Sequence, residues 1–563
     1  GHEDIGGYPY QENQFSLGLT HARHYAEITN DGGGRSIWVR TNQEEHPVRA
    51  GVVTGIQIQK LPPRIYVDAG APDGGDGFSW ATAFNRLQDG IALAVEWEGA
   101  VDEIWVAGGT YYPTDDTDQY ESFEIPTGYA NLYGGFSGTE TARDQRDWIA
   151  NPTVLSGNIG GPLPFDNTNW VLKMNQNLYG PDNAIVDGFT IYAGSGGVNG
   201  EQDRGAGLLM LDGSLTMRNC TFVGNRAETG AAAYVSRGTF TCVDCNFLNN
   251  VAGNNGGAIA AEAGSPNPAP LVRLVNCRFH NNTAGFWGGA LDFNATPATI
   301  VNCVFTGNDS EIEGGAIHAI FEGAALTISN CSFAGNTTNL FGGAIGLDSG
   351  AHAELRNAIL WDNHGAPDWN NLMKSQISFD LASVTATYST VQFHTTGQLP
   401  GPGNNGLNPL FVNATGGDGY GGMNDDLRLA AASPLIDAGD NSSVPGDFAD
   451  LDNDGFIFEQ TPLDLDRHSR RIDDPTAPDN GSGTRPMVDR GAFERLPSGL
   501  IGDMNCDGAV NNFDIDPFVL ALTDVAAYAL QYPTCTPLNG DTNHDGVLNN
   551  FDIDPFVTLL TGG

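Results

Sequence analysis

Positive charge is what this 563-residue chain has least of, since lysine occurs only at Lys60, Lys173 and Lys374. The formal net charge is −43 at pH 7, and the isoelectric point is near 4.2. Such a chain repels the phosphates of nucleic acids and of anionic membranes, so neither is expected as a partner. The same charge favours bound metal cations, a salty medium, or both.

Long apolar runs and helical periodicity are scarce as well. No run of about 20 apolar residues occurs, so the sequence predicts no membrane span. One amphipathic helix is predicted over residues 83–97, with Phe84, Leu87, Ile91 and Ala94 on one face. The chain has no recognisable signal peptide, and we interpret it as a processed mature form, so export is an expectation.

Repetition dominates the middle of the chain. An Asn-Cys-x-Phe phrase, or a variant of it, returns after 25, 32, 26, 28 and 27 residues. The six phrases begin at Asn219, Asp244, Asn276, Asn302, Asn330 and Asn357. Each closes on a second asparagine, at Asn225, Asn250, Asn282, Asn308, Asn336 and Asn363. A period this short cannot fold alone, so each repeat must bury its apolar side on its neighbours.

The alternation of side chains selects the architecture. Leu326, Ile328 and Phe333 are predicted to point inward, and Ser329 and Ser332 outward, which is the two-residue period of strands. Short strands in register predict a right-handed parallel β-helix, in which the Asn columns become hydrogen-bonded ladders. The Gly-Gly pairs that begin at Gly256, Gly288, Gly314 and Gly342 suit positive φ or close backbone approach.

Three regions are predicted. Residues 1–63 read as a short β segment, whose strand at 52–59 resembles the closing strand of a galactose-binding or malectin-like β-sandwich. Residues 64–497 form the β-helix, whose open first coil the helix over 83–97 would cover. Residues 498–563 form a small α-helical module.

The cysteines fall into two groups. Six lie in the repeat, and the alternation turns them into the core, although Cys242 and Cys245 have the spacing of a redox or zinc pair. Cys506 and Cys535 lie outside the repeat, and a disulfide between them would suit an exported protein.

The repeats resemble those of polymorphic outer-membrane β-helices. With the phrases at 433–440 (Ser-Pro-Leu-Ile-Asp-Ala-Gly-Asp) and 488–494 (Val-Asp-Arg-Gly-Ala-Phe-Glu), the span resembles bacterial surface proteins of the choice-of-anchor Q type. The resemblance implies a secreted or surface-anchored protein. It implies no activity.

The tail contains a duplicated calcium-loop pattern. Oxygen ligands occupy loop positions 1, 3, 5, 9 and 12, and a main-chain carbonyl is expected at position 7. The first loop has Asp503, Asn505, Asp507, Ala509, Asn511 and Asp514; the second has Asp541, Asn543, Asp545, Val547, Asn549 and Asp552. With the following Asn-Phe-Asp-Ile-Asp-Pro-Phe-Val phrases, the tail resembles a type I dockerin. The resemblance implies two Ca²⁺ ions and a cohesin-like partner.

A third acidic turn is incomplete. Asp450, Asp452 and Asp454 precede Gly455 and suit calcium, but the twelfth position is Thr461. A solvated acidic turn is the alternative.

Catalysis is the competing function. Asp292 and His318, with Glu262 nearby, are the candidate acid–base residues on an outward column, and they are interpreted as a solvated surface pair without a cationic partner. Trp287 and Phe341 suit either sugar stacking or the covering of a turn.

The sequence therefore favours a secreted, calcium-binding structural or adhesive surface or matrix protein. It would associate with itself or dock on a surface protein through its ends. The alternative is a polysaccharide-binding or polysaccharide-degrading protein, a lyase or hydrolase, targeted by its dockerin-like tail.

Overall fold

The computed structural model describes residues 64–97, 101–126, 128–161, 166–174, 183–196, 203–264, 269–366, 371–452, 454–474, 477–496, 501–506, 510–533, 535–543 and 547–561. Backbone contacts divide the chain into Gly1–Pro62 and Pro63–Gly563, and every described residue lies in the second unit. The β segment expected over residues 1–63 lies outside the described residues.

Four parallel sheets build the body of the protein, as far as the chain is described. Sheet A contains Arg64–Val67, Glu103–Ala107, Asn131–Phe136, Asn183–Asp187, Ser214–Arg218, Thr239–Val243, Leu271–Val275, Ala298–Val301, Ala325–Ser329, His352–Arg356 and Ser383–Thr387. Sheet B contains Gly109–Tyr111, Thr153–Ser156, Phe189–Tyr192, Thr221–Val223, Asn246–Leu248, Arg278–His280, Val304–Thr306, Ser332–Ala334, Ile359–Trp361 and Thr390–Val391. Sheet C contains Phe123–Glu124, Leu172–Met174, Leu208–Met210, Ala233–Val235, Ile259–Glu262, Leu291–Asn294, Ile317–Ile320, Ile345–Asp348 and Ile377–Asp380. Sheet D contains Arg226–Thr229, Val251–Asn255, Thr283–Ala284, Asp309–Ser310 and Thr337–Thr338.

Each complete coil visits sheets A, B, D and C in turn, which confirms the predicted parallel β-helix. The repeated phrases stack in register, so that Phe279 pairs with Phe305 and Phe305 with Phe333. The six repeat cysteines are free and buried, as predicted. Burial raises the pKa of the Cys277 and Cys303 thiols well above the ordinary value, which disfavours the reactive thiolate.

The second asparagine of each phrase forms a buried ladder. Asn282 Nδ2 donates to Asn308 Oδ1 at 2.9 Å and to the carbonyl of Phe247 at 2.9 Å. Its backbone N–H donates to the same Asn308 oxygen at 3.0 Å. The pattern recurs from Asn225 to Asn363, where Gln376 Oε1 accepts the last bond at 2.9 Å. Each side-chain amide is thus hydrogen-bonded to the amide of the next coil. Burial of the whole polar column therefore leaves few hydrogen-bonding groups without a partner.

The two glycines of each pair have different roles. Gly288 adopts φ +65°, which a side chain disfavours. A Cβ built on Gly289 would lie 2.1 Å from the carbonyl oxygen of Gly315 on the next coil. The first glycine therefore permits the turn, and the second permits the close stacking of coils.

Gly289→Ala is therefore expected to lower the free energy of unfolding by about 1–3 kcal/mol, since the added methyl group meets fixed backbone. Gly264→Ala is the matched control, because a Cβ there meets no atom within 4 Å. It should change stability by less than about 1 kcal/mol. Chemical denaturation of both variants checks the prediction, and equal losses would contradict it.

Helix α1 spans Leu87–Glu96 and covers the first coil. A Cβ on Gly90 would lie 2.9 Å from a Val67 methyl group, which shows how closely the helix approaches sheet A. The helix begins four residues later than predicted, because Phe84 is held in extended pairing. Its N–H donates to the carbonyl of Tyr66 at 3.0 Å, and its carbonyl accepts from Asp68.

The chain then returns along the outside of the coils as a strap, defined here as the described residues of 435–496. Ala449 and Leu451 pack on Val243, Val275 and Val301 of sheet A. Ser329 and Ser332, predicted to face outward, are consequently buried, and Ser332 Oγ accepts from the N–H of Ala492 in the strap. An antiparallel pair, Phe411–Asn413 and Asp426–Leu429, precedes the strap.

The strap is anchored by buried charges. Arg470 pairs with Glu494 at 3.1 Å and donates to Asn302 Oδ1 at 2.7 Å. The Arg490 guanidinium donates to the carbonyls of Ala438 and Gly403, both at 2.8 Å. Both arginines belong to the returning chain. Arg470 ties it to the corner asparagine Asn302 of the coils, and Arg490 ties it to the carbonyl of Gly403.

The described part of the tail contains α2 (Ile515–Thr523), α3 (Val525–Gln531) and α4 (Ile553–Thr561). Phe518 and Phe556 stack with ring centroids 3.9 Å apart, and Cys506 pairs with Cys535 as predicted. Short 3-10 helices occur at Trp80–Thr82, Arg143–Gln145, Leu372–Ser375, Asn441–Ser443, Asn512–Asp514, Pro537–Gly540 and Asn550–Asp552. None of the described helices has the length and apolar character needed to cross a bilayer.

Candidate functional site

Asp292 and His318 are neighbours on adjacent strands of sheet C. Their Oδ1 and Nδ1 atoms lie 2.7 Å apart, and His318 Nε2 lies 3.7 Å from Asp348 Oδ2. Burial alone would lower the pKa of His318. The hydrogen bond with Asp292, the nearby carboxylate of Asp348 and the charges of Asp292 and Glu313 prevail and raise it to about 9. The imidazole is therefore protonated at neutral pH and is a poor general base.

The pair is covered, contrary to the interpretation as a solvated surface pair. Asp292 and His318 are each 2% exposed. The Trp287 ring lies 5.8 Å from the His318 ring at 23°, in the turn that joins sheets D and C. A substrate would have to displace this indole to reach the ring face of His318. The alternation correctly assigned the column, but it could not show that a preceding turn folds back over it.

A cation does occur on this face of the coils, beside Glu262 and not beside the Asp292–His318 pair. Arg204 Nη1 donates to Tyr234 Oη at 2.6 Å and lies 3.5 Å from Glu262 Oε2. Tyr234 in turn donates to Glu262 at 2.7 Å. Ala260 separates Tyr234 from Asp292 along the column. Glu262 is thus engaged with Arg204 and Tyr234, and the structure does not bring it to the Asp292–His318 pair.

Trp287 and Phe341 lie two coils apart in one column, with Glu313 between them. Both are half-buried. Lys374 Nζ lies 5.4 Å from the centre of the Phe341 ring. The exposed Phe286, beside Trp287, extends this aromatic row. Trp287 thus packs against His318. The exposed parts of Phe286, Trp287 and Phe341 remain accessible for stacking on a sugar ring.

A cavity of about 300 Å³ with mixed polar and apolar walls lies between sheet B and the returning chain. It is lined by Asn246, Arg278, His280, Val304, Met423, Asp425, Leu427 and Phe493. His280 Nδ1 lies 2.6 Å from Thr306 Oγ1, and burial, with the charge of Arg278, lowers the His280 pKa to about 4. His280 Nε2 and Asp425 Oδ1 are buried without a hydrogen-bond partner among the described residues. The cavity can hold water or a small polar ligand.

Sequence reasoning missed this cavity because two of its walls come from residues more than a hundred positions away. The repeat itself contains a hint, since Arg278 and His280 flank an inward Phe279 at positions where the other repeats have no basic side chain.

The two tail loops have matching geometry where they are described. Asp514 Oδ1 accepts from the N–H of Asn505 at 3.0 Å, and its Oδ2 accepts from Asn511 at 2.8 Å. Asp552 does the same with Asn543 at 3.1 Å and Asn549 at 2.8 Å. Position 12 thus closes each loop onto positions 3 and 9.

The tail loops fit a hard cation. The carboxylates at positions 1 and 12, Asp503, Asp514, Asp541 and Asp552, are all buried. Lys and Arg are absent after Arg495 in the sequence, so a bound hard cation would supply the counter-charge that the tail lacks. Asp507, Ala509 and Asp545 lie outside the described residues. Val547 is 59% exposed.

Asp450, Asp452 and Asp454 come together as the sequence predicted. One carboxylate oxygen of each lies within 4.8 Å of the others. Asp454 and Gly455 donate backbone N–H groups to Asp452 and Asp450, respectively. The turn is therefore folded in the way its Asp-x-Asp-x-Asp-Gly pattern suggests.

Comparisons with known proteins address the fold. The family model described as "Right handed beta helix region" matches residues 206–384. A solved rhamnogalacturonan lyase is 12% identical with a TM-score of 0.21, covering 62% of this chain and 91% of the lyase chain. No curated protein matches the chain significantly. The family match and the parallel sheets make the central body a right-handed parallel β-helix.

Proposed function

We propose that this chain is a secreted, calcium-binding structural or adhesive protein of a cell surface or extracellular matrix. It docks through its ends, either on other copies or on a cohesin-like surface protein. The observation that carries the proposal is a duplicated exposed pair in the tail. Phe513 is 78% exposed and Phe551 80% exposed, at equivalent positions of the two loop–helix units.

The two phenylalanines of each repeated tail phrase differ in their surroundings. Phe518 and Phe556 stack on each other in the core of the tail. Phe513 and Phe551 instead leave apolar surface in solvent, and Val519 and Val557 on the following helices are half-exposed. Exposed apolar patches on secreted modules are typical of docking surfaces.

Calcium would make this docking possible. Nine aspartates follow Arg495 without a single Lys, Arg or Glu, so the apo tail repels itself and any other copy of this acidic chain. Two Ca²⁺ ions would supply four positive charges beside the buried carboxylates of the loops. We therefore expect assembly to require calcium.

Light scattering coupled to size exclusion, in calcium and in excess chelator, tests the proposal. The native chain should assemble only with calcium, and its tail should become protease-sensitive in chelator. The double variant Asp503→Ala, Asp541→Ala should behave as if chelated. The matched control is Asp516→Ala, Asp554→Ala, which removes the exposed helix aspartates just beyond each loop.

The loop variant must lose assembly and the control must retain it. If the loop variant keeps its assembly state and a protease-resistant tail in excess chelator, the proposal is wrong. A further variant, Phe513→Ser with Phe551→Ser, should keep calcium binding but lose docking.

The second candidate is polysaccharide binding or cleavage, favoured by the accessible aromatic row of Phe286, Trp287 and Phe341. Stacking on pyranose rings would use these faces. Release of reducing sugars or unsaturated products from acidic polysaccharides would reveal cleavage. Turnover that disappears in His318→Ala would replace the structural proposal, whereas affinity lost in Phe286→Ala without turnover would indicate binding alone.

A further inference from the structure

A second acidic group lies beside the incomplete calcium turn. One carboxylate oxygen from each of Asp447, Asp452 and Glu459 lies within 4.8 Å of the other two. Asp452 also belongs to the trio with Asp450 and Asp454. Five carboxylates therefore gather around one short loop of the strap.

The local backbone explains why Asp447 and Glu459 meet. Gly446 and Gln460 form an antiparallel bridge, and the N–H of Asp447 donates to the carbonyl of Glu459 at 2.8 Å. This neck places residues 447 and 459 opposite each other. The acidic turn between them then folds back, so that Asp452 approaches both.

Three carboxylate oxygens in this group lack a donor among the described residues. Asp447 is 1% exposed, and its Oδ2 accepts from the N–H of Leu451 at 2.8 Å. Its Oδ1 is buried without a partner among the described residues, and so are both oxygens of Glu459. Burial and the charges of Asp452 and Glu459 raise the pKa of Asp447. Buried carboxylate oxygens without donors are strongly unfavourable unless a cation is present.

We propose that Asp447, Asp452 and Glu459 bind a divalent cation of the calcium class within the strap. An all-oxygen set of carboxylates suits a hard cation, and oxygens at about 2.3–2.6 Å from one ion lie no more than about 5 Å apart. The loop that begins at Asp450 has Thr461 at its twelfth position, where a calcium loop has an acidic ligand. Asp447 and Glu459 would supply acidic ligands in its place. The site is separate from the tail loops, so it goes beyond the proposed function.

The position of the site suggests what the ion does. Ala449 and Leu451, within the same loop, contact three valines of sheet A. Arg218 Nη2 donates to the carbonyl of Ala449 at 2.8 Å, and Arg467 donates to that of Leu451. An ion bound beside these contacts would clamp the strap to the coils.

Counting bound calcium on the full chain by native mass spectrometry tests the site. Asp447→Asn with Glu459→Gln should remove one ion per chain, both in the native background and in the Asp503→Ala, Asp541→Ala background. The two backgrounds separate this site from the tail, so failure of one proposal does not obscure the other. Asp452→Asn alone, at an exposed position, should weaken the same ion, and the exposed Glu322→Gln should change nothing.

The melting temperature provides a second test, because the substitution should change it in opposite directions in chelator and in calcium. In chelator the Asp447→Asn, Glu459→Gln variant should melt at or above the temperature of its parent, since carboxylate repulsion is relieved. In calcium it should melt below its parent, and protease should cut its strap. If the variant binds as many ions as its parent, or melts lower in chelator as well, the proposal is overturned.

Discussion

Replacing Phe305 by alanine is expected to lower the free energy of unfolding by about 3–5 kcal/mol. Phe305 is fully buried in the coil interior. Its ring lies 4.7 Å from that of Phe279 and 4.6 Å from that of Phe333, within 3° and 1° of parallel. The substitution removes a ring from the middle of a continuous stack. Neighbouring coils are held in register by backbone hydrogen bonds, so they cannot collapse into the cavity.

Denaturant unfolding of the native chain and of two variants measures this loss. Phe286→Ala is the matched control, because that ring is 41% exposed at a corner of the coils. It should cost less than about 1 kcal/mol. A loss under about half a kcal/mol for Phe305→Ala would mean that the register of the coils is wrong.

The coils were predictable because their pattern is local and repeated. Each Phe, Asn and Gly-Gly unit recurs within about 30 residues, so one interpretation had to satisfy every copy. The two Gly-Gly functions, positive φ at Gly288 and contact with Gly315 at Gly289, both follow from stacking. An error of one residue in the assigned register would have placed the phenylalanine side chains of every repeat in solvent at once.

The strap was not predictable, because its contacts join residues far apart in sequence. Arg470 reaches Asn302, 168 residues away, and Asn357 reaches Asp440, 83 residues away. The phrases at 433–440 and 488–494 were recognised as marks of a family, but their physical role was not evident. In the structure they bind each other, since the N–H of Asp437 donates to Asp489 Oδ1 at 2.7 Å.

In the candidate site, too, the sequence predicted the local arrangement but not the residues that pack over it. Strand alternation placed Asp292 and His318 side by side, and the structure agrees. Exposure depends on what lies above the sheet. The covering Trp287 stands in a column whose residue type changes from coil to coil, since Glu313 and Phe341 follow it. The Asp450 turn is a similar case, because Asp447 and Glu459 join it only through the neck of the loop.

Raising the pH from 6.5 to 9 should lower the free energy of unfolding through His318 by about 3 kcal/mol. In the folded state its pKa is about 9, above the ordinary value of 6.5, because Asp292, Asp348 and Glu313 face the ring. The unfolded chain therefore releases this proton first as pH rises. The stabilisation is complete below pH 6.5 and is lost as the pH passes through 9.

Comparison with His318→Gln isolates this effect, since the variant cannot lose that proton and its stability should fall less over the alkaline range. His280→Gln is the matched control of opposite sign. Burial lowers the pKa of His280 to about 4, so its effect appears only as pH falls below 6.5. That control should retain the alkaline loss and show a smaller acid loss. If native protein and His318→Gln lose stability in parallel between pH 6.5 and 9, the buried imidazolium pair does not exist, and His318 would again be available as a neutral base.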